Sequence, residues 1–466
     1  MAFYRYSLPL LPLPALFLAL LTEPGWMLEL PWLLIGGLWG MDELRQTFLL
    51  VTALLWTVAG VFAIGYLKNR HLGRFWVFWV LTLAGNLGLT VAFDVASFYS
   101  FFALMTFAGY GLVVHEGTVE ANKAGRVYLA MAVAGEMAIL TGLLMASNAA
   151  GSLLLAELPA AVANSGQRWL IVLLLLVGFG VKAGLPLLHF WLPLAHPVAP
   201  TPASAVLSGA MIKAGMLGWL VTLPIGQVSL PVWANVLVVL GAVGSLGGAV
   251  LGVRQIRPKA VLAYSSISQM GLMTLMVAGA LASQAHSGAI LAVLGLYVLH
   301  HGLAKGSLFL STAMSLPSGR WQRMLMWLLI AMPGLALAGL PFTSGAMAKL
   351  AMKDVLAPSG LDFALAEYLP VLMTAGAIAT MLLVWRFLWA FGARAHTGGN
   401  ARGLWLGWSL ATASSLLVFW WLPLPSGLPA KAWVSAMQDQ AWALVWPVIV
   451  ASILAGLVWQ INRRGK

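Results

Sequence analysis

The sequence predicts an all-α polytopic membrane protein of about fourteen transmembrane helices, with two inverted five-helix repeats that each contain a broken helix. Three observations lead there. The first is composition: of 466 residues, 61% are hydrophobic and only 8% are charged, whereas soluble domains carry about a quarter charged residues. The apolar runs are continuous and long enough to cross a hydrocarbon core, which takes about twenty residues. The strands of a membrane β-barrel would instead alternate over about ten positions. The second observation is the placement of the basic residues. The third is a pair of Gly/Pro interruptions, each beside a lysine within an apolar run.

The expected spans run roughly over 8–22, 42–67, 73–93, 95–115, 126–149, 169–190, 203–224, 231–253, 258–282, 287–314, 324–356, 368–392, 404–422 and 440–461. The stretch from Gly25 to Gly40, broken by Pro and Gly, reads as an extracytoplasmic loop or hairpin. Lys and Arg gather on cytoplasmic flanks. With the N-terminus inside, sixteen of the 25 fall on inside flanks: Arg5; Lys68, Arg70, Arg74; Lys123, Arg126; Arg254, Arg257, Lys259; Arg320, Arg323; Arg394, Arg402; Arg463, Arg464, Lys466. Only Arg45, Arg168, Lys353 and Lys431 fall outside. One span more or fewer would scramble this separation, so both termini are expected in the cytoplasm. The net charge of +12 is a topology signal rather than a nucleic-acid footprint, because the basic residues are scattered between apolar runs.

Lys182, Lys213, Lys305, Lys349 and Arg386 lie inside spans, as does Glu136. A charge near the bilayer centre costs at least about 2.5–3.5 kcal/mol on insertion scales, so these residues call for a role. Pro186 has no N–H, which leaves the Lys182 carbonyl without its helical partner. Gly339, Pro341, Ser344 and Gly345 interrupt the helix that carries Lys349. Such breaks are tolerated only against protein or water, and they mark ion sites in transporters. They divide the chain into N-terminal helices with a loop (1–72), a first half of five spans (73–224), a second half (231–392) and C-terminal helices (393–466). An odd number of spans makes the second copy inverted.

A buried lysine exchanges its proton when a neighbouring charge changes, so a row of them can pass protons along. His301 lies four residues before Lys305 on one helix face and is a candidate relay group. His189 and His196 flank the first break as candidate caps for freed carbonyls. Arg386, two turns from Arg394, reads as structural. A competing reading lets lysines snorkel to the headgroups. It fits Lys349 and Lys353, near a span end, better than Lys182, Lys213 and Lys305.

The run GFGVKAGLPLLHFWLPLAHPVAPTPASAVLSGAMIKAG (Gly178 to Gly215) resembles the signature of the antiporter-like proton-channel subunits of the complex I superfamily. So do LAYSSISQMGLM (Leu262 to Met273), HHGLAKGSLFLS (His300 to Ser311) and GLPFTSGAMAK (Gly339 to Lys349). The resemblance covers roughly residues 42–392. It is nearest in motif to the large membrane subunit of hydrogenase-4 and formate hydrogenlyase. It implies that Lys182 is the central lysine of the first broken helix, Lys213 that of the next helix, and Lys305 the connecting lysine with His301 one turn before it. Lys349 would be the lysine of the second broken helix, which leads to the outside.

The departures matter too. The family's glutamate on span 95–115 is replaced by Ala103, within Phe101-Phe102-Ala103-Leu104-Met105. Glu136, at similar depth on the next helix, is expected to replace it; otherwise the first half-channel is degenerate. Leu194 stands where the family has an acidic residue, and Tyr297 where some relatives have histidine. No counterpart of the long lateral helix of the largest complex I antiporter-like subunit is expected.

The expected function is that of a proton-translocating antiporter-like subunit of a larger energy-coupling complex in a bacterial-type inner membrane. The partners would be other membrane subunits and a soluble energy-supplying module. The alternatives are a monovalent cation/proton antiporter subunit, the membrane subunit of an inorganic-carbon uptake complex, and a scaffold that no longer pumps. No catalytic, metal or cofactor site is expected in the chain. It has no cysteine, which excludes disulfides and Cys-ligated zinc or iron–sulfur clusters.

Overall fold

A computed structural model describes residues 2–67, 71–393, 401–421, 435 and 437–464. Five of the flanking charges, Lys68, Arg70, Arg394, Lys431 and Lys466, lie outside the described residues. Among those described, eleven helices are long and apolar enough to cross a membrane. Two other expected spans are covered by shorter helices, Arg168–Ala183 with 16 residues and the apolar stretch Ala441–Leu457. The expected span at 8–22 is not a single helix. Within it only the nine-residue Leu13–Leu21 is helical, separated by turns from the short helix Ala2–Tyr6 that precedes the span. At 1.5 Å per residue, nine residues reach about 13 Å, under half the hydrocarbon thickness of roughly 30 Å. Pro9 and Pro12 explain the split, because neither can donate to a helical ladder.

The segment after it is a hairpin, with Trp26–Leu30 paired antiparallel to Gly37–Met41. Asp94 ties the hairpin to the bundle. One of its carboxylate oxygens accepts from the Leu38 N–H at 2.9 Å, and the other caps the next helix by accepting from the Ser97 N–H at 2.7 Å. Asp42, Thr118 and Thr343 cap further helix starts in the same way, each accepting the N–H three residues on. The caps satisfy donors that have no intrahelical partner.

Three helices form the centre. Thr201–Thr222 is buried on every side, and Pro258–Ala282 and Ser287–Ser311 nearly so. Val119–Ala150, Pro231–Val253 and Arg320–Ala338 bury less than half of their apolar window and form the outer layer. A helix apolar all round is stable in a core or in lipid. Two of the inner three carry buried basic residues. Lys213 lies on the first of them, and His301 and Lys305 lie on the third. Two helices contain a π-turn, at Leu207–Met211 and Val243–Gly247.

Candidate functional site

Both breaks are built alike. The first reads Gly184-Leu185-Pro186-Leu187 and the second Gly339-Leu340-Pro341-Phe342. Each preceding helix ends in a Schellman motif. The Leu185 N–H donates to the Gly180 carbonyl and the Leu340 N–H to that of Leu335, both at 3.0 Å. Gly184 (φ 76°) and Gly339 (φ 91°) take the left-handed conformation this needs. Leu187 (φ 69°) and Phe342 (φ 62°) adopt it too, a conformation that is rare and strained for bulky side chains. The chain then resumes as Trp191–Val198 in the first break and as Ser344–Val355 in the second.

At the first break, Lys182 sits in the last turn before the interruption and is buried. Its Nζ donates to the Tyr128 hydroxyl at 3.3 Å and lies 5.4–5.9 Å from the ring centres of Phe102, Tyr128 and Trp191, within cation–π range. The Trp191 Nε1–H donates at 2.8 Å to the Val181 carbonyl, which otherwise has only a long 3.3 Å bond from the Gly184 N–H. At that carbonyl the cap is an indole and not His196, both of whose ring nitrogens lack a partner and whose ring stacks on Phe309 at 4.5 Å; the other candidate, His189, interacts with the Leu185 backbone of the break.

Glu136 faces the same small cavity, which Phe102, Thr106, Tyr128, Gly135 and Gly178 also line. Neither carboxylate oxygen has a partner at good hydrogen-bond geometry, the Thr106 side chain being the nearest donor to act on it, and Lys182 is the only cation among the lining residues. The two are not in ion-pair contact, unlike Arg45 and Asp42, whose charged atoms lie 2.8 Å apart. Leaving a buried charge uncompensated costs several kcal/mol, so Glu136 and Lys182 depend on each other across the cavity. A close helix approach brings them there. A Cβ at Gly135 would lie 3.2 Å from the Gly178 carbonyl, and one at Gly178 2.9 Å from the Gly135 carbonyl. Small residues of this kind let membrane helices touch.

The same device assembles the centre. A Cβ at Gly209 or at Gly302 would lie 2.7 Å from the other's carbonyl oxygen. That contact sets the Lys213 Nζ 2.5 Å from His301 Nδ1. Lys213 also donates to the Ser208 carbonyl at 2.9 Å, inside the π-turn, where the wider spacing offers carbonyls to side chains. Lys305, one turn beyond His301, donates to the Leu262 carbonyl at 3.1 Å. Lys213, His301 and Lys305 are all buried. At the second break, the Lys349 Nζ reaches back over the interruption to the Ala338 carbonyl at 3.0 Å. Arg386 is not in this row. It donates to the Gln255 carbonyl at 2.7 Å and lies over Trp389.

Sequence reasoning singled out the lysines with Glu136 and His301 but not the uncharged polar groups around them. It passed over the hydroxyl pair Ser208–Ser266 at 2.7 Å, the link from Tyr297 through Gln269 to Thr380, and the contact of His300 with Ser344. The polar run Ser265-Ser266-Ile267-Ser268-Gln269 inside an apolar span was the available signal.

A bundle of apolar helices with buried lysines at two breaks, and a lysine–histidine contact between them, defines the class: an antiporter-like membrane subunit. The chain belongs to the NADH:quinone oxidoreductase/Mrp antiporter transmembrane family, whose model matches residues 92–382. Hydrogenase-4 component B of Escherichia coli (strain K12) is 32% identical over 281 residues, which are 58% of this chain and 42% of that protein. A chain of the Mrp complex from Dietzia sp. DQ12-45-1b has the same fold, with a TM-score of 0.79 at 20% identity over 99% of this chain and 53% of that one. A chain of the membrane-bound sulfane sulfur reductase, an archaeal respiratory membrane complex, gives 0.74 at 23% identity, over 88% and 70%. The chain spans about half the length of the curated relatives it matches.

Proposed function

We propose that the chain is a proton-translocating subunit of a larger energy-coupling complex. It would sit in a bacterial-type plasma membrane with both termini in the cytoplasm, beside other membrane subunits and a soluble module that supplies the energy. Protons enter near Lys182 and Lys213, pass Lys305 and reach Lys349. The observation that carries this reading is the 2.5 Å contact between Lys213 Nζ and His301 Nδ1, one turn from Lys305. Among the described residues no carboxylate acts on this buried basic pair, which is costly unless used. Glu136 takes the part of the glutamate missing at Ala103 and sets the charge that Lys182 feels across their cavity.

The test is proton uptake by vesicles from native membranes, followed with a pH-sensitive dye. Lys213→Ala and Lys305→Ala are expected to lower uptake at least tenfold, about 1.4 kcal/mol in barrier, while the complex still assembles. Uptake at the unaltered rate in both would refute the relay. Mild-detergent purification with mass spectrometry reads the driving reaction from what accompanies the chain. Redox subunits support a driven pump, small antiporter subunits support cation exchange, and a zinc protein supports carbon uptake.

A further inference from the structure

The cavity at the second break is an open slot of about 410 Å³ beside the helices Ser344–Val355 and Leu369–Gly392 and the helix that begins at Ala441. Lys349 and Lys353 both line it, and the described lining residues include no carboxylate. Four residues apart on one helix, the two ammonium groups share a face, where like charges repel. Lys353 is the one charge that acts on Lys349 among the described residues. Asp354 acts on Lys353, but it is exposed and does not line the slot. Lys349 gives one proton to the Ala338 carbonyl at 3.0 Å, which leaves it two more to donate. The hydroxyl in the wall, that of Thr374, already donates to the Pro370 carbonyl at 2.9 Å. The other walls are mostly apolar, with Leu272, Met352, Met373, Leu444 and Pro447.

The complement of such a slot is an anion with oxygen acceptors attached to an apolar tail. A phosphate is suited to lysine donors. The depth fits the same ligand. Met373, Thr374 and Ala377 lie near the start of one wall helix, and Ala443, Leu444 and Pro447 near the start of the other. At 1.5 Å per residue they sit about 3–12 Å past those starts, where headgroups give way to acyl chains. Next to the wall residues, Val371, Trp442 and Ile449 turn apolar side chains outward, 67%, 71% and 42% exposed, along a path that an acyl chain can follow.

We propose that this slot holds the phosphate of an anionic phospholipid between Lys349 and Lys353, with an acyl chain lying along the outer faces of the two wall helices. In the topology proposed above this is a lipid of the extracytoplasmic leaflet. The site needs only the cavity and its charges, and it stands whether or not protons pass through Lys349.

The experiment is photo-crosslinking of the assembled complex in bilayer discs of phosphatidylcholine. The discs carry a trace of phosphatidylglycerol with a diazirine high on one acyl chain, or of phosphatidylcholine with the same chain. The expected result is cross-links to the peptides of residues 371–377 and 442–449, at least fivefold more from the phosphatidylglycerol probe. Lys353→Gln should remove that preference and Lys353→Arg should keep it. Lys123→Gln, an exposed lysine on another helix, should leave it unaltered. Equal labelling by the two probes, or none at these peptides, would overturn the proposal. So would a Lys353→Gln complex that labels like the original. Loss of labelling to excess inorganic phosphate would reassign the slot to a free anion and overturn the lipid. If Lys353→Gln does not assemble, the comparison of the two probes on the unaltered complex decides.

Discussion

The two broken helices share one backbone and differ in charge. Each has a glycine in the left-handed region, a proline two residues on and a large apolar residue with positive φ after it. Lys182 precedes its break, stands among three aromatic rings and faces a carboxylate across a cavity. Lys349 follows its break and is held by a carbonyl from the other side. The described residues lining its cavity include a second lysine, Lys353, and no carboxylate. The backbone motif thus serves to open a gap in the helix ladder. What a lysine does there is set by the groups that neighbouring helices bring to it.

The largest effect is expected at Gly345, where the second break closes on itself. A Cβ there would lie 1.6 Å from the Ala336 carbonyl oxygen, so Gly345→Ala must push the two segments apart. A loss of about 3 kcal/mol, seen as a lowered unfolding midpoint in detergent, is expected, together with loss of proton uptake.

Glu136→Gln separates the two lysines. It removes the one opposite charge among the residues lining the cavity of Lys182, so stability should fall by up to a few kcal/mol and uptake about tenfold, or about 1.4 kcal/mol. Unaltered uptake would mean that Lys182 needs no carboxylate, and the contrast between the two breaks would vanish.

Gly339→Ala and Gly184→Ala compare the breaks directly. Each forces an L-residue into the left-handed region, which costs roughly 1–2 kcal/mol. At Gly339 the new Cβ also lies 2.9 Å from Lys349 Cδ, whereas at Gly184 the nearest atom is Leu192 Cδ1 at 3.5 Å. Gly339→Ala should therefore be the more destabilising in thermal unfolding and should alone displace its lysine. The smallest change, Trp191→Phe, keeps a ring near Lys182 but removes the indole donor to the Val181 carbonyl. It should cost about 1 kcal/mol, measurable as a small shift of the unfolding midpoint with uptake largely kept.

Much of the architecture was legible because bilayer length and helix chemistry act locally. The apolar runs mark the helices within a few residues, and Gly184 with Pro186 and Gly339 with Pro341 mark the breaks, since glycine alone accepts positive φ freely and proline cannot donate. The segment at 8–22 misled because its composition is apolar while its prolines forbid one continuous helix. The π-turn at Leu207–Met211 left no local trace.

The sequence by itself determined which residues are charged within the bilayer and where the helix ladder must fail, because burial cost and backbone chemistry belong to each residue. It also contained the family's lysine motifs. Only the tertiary structure decided which groups meet. Glu136 faces Lys182 because Gly135 and Gly178 let two helices touch, and His301 reaches Lys213 because Gly209 and Gly302 do the same. The indole cap on Val181 and the turn of His300 toward Ser344 depend on how segments far apart in sequence pack. A hydrogen bond needs its partners within about 3 Å, and that distance is a property of packed helices rather than of any single one.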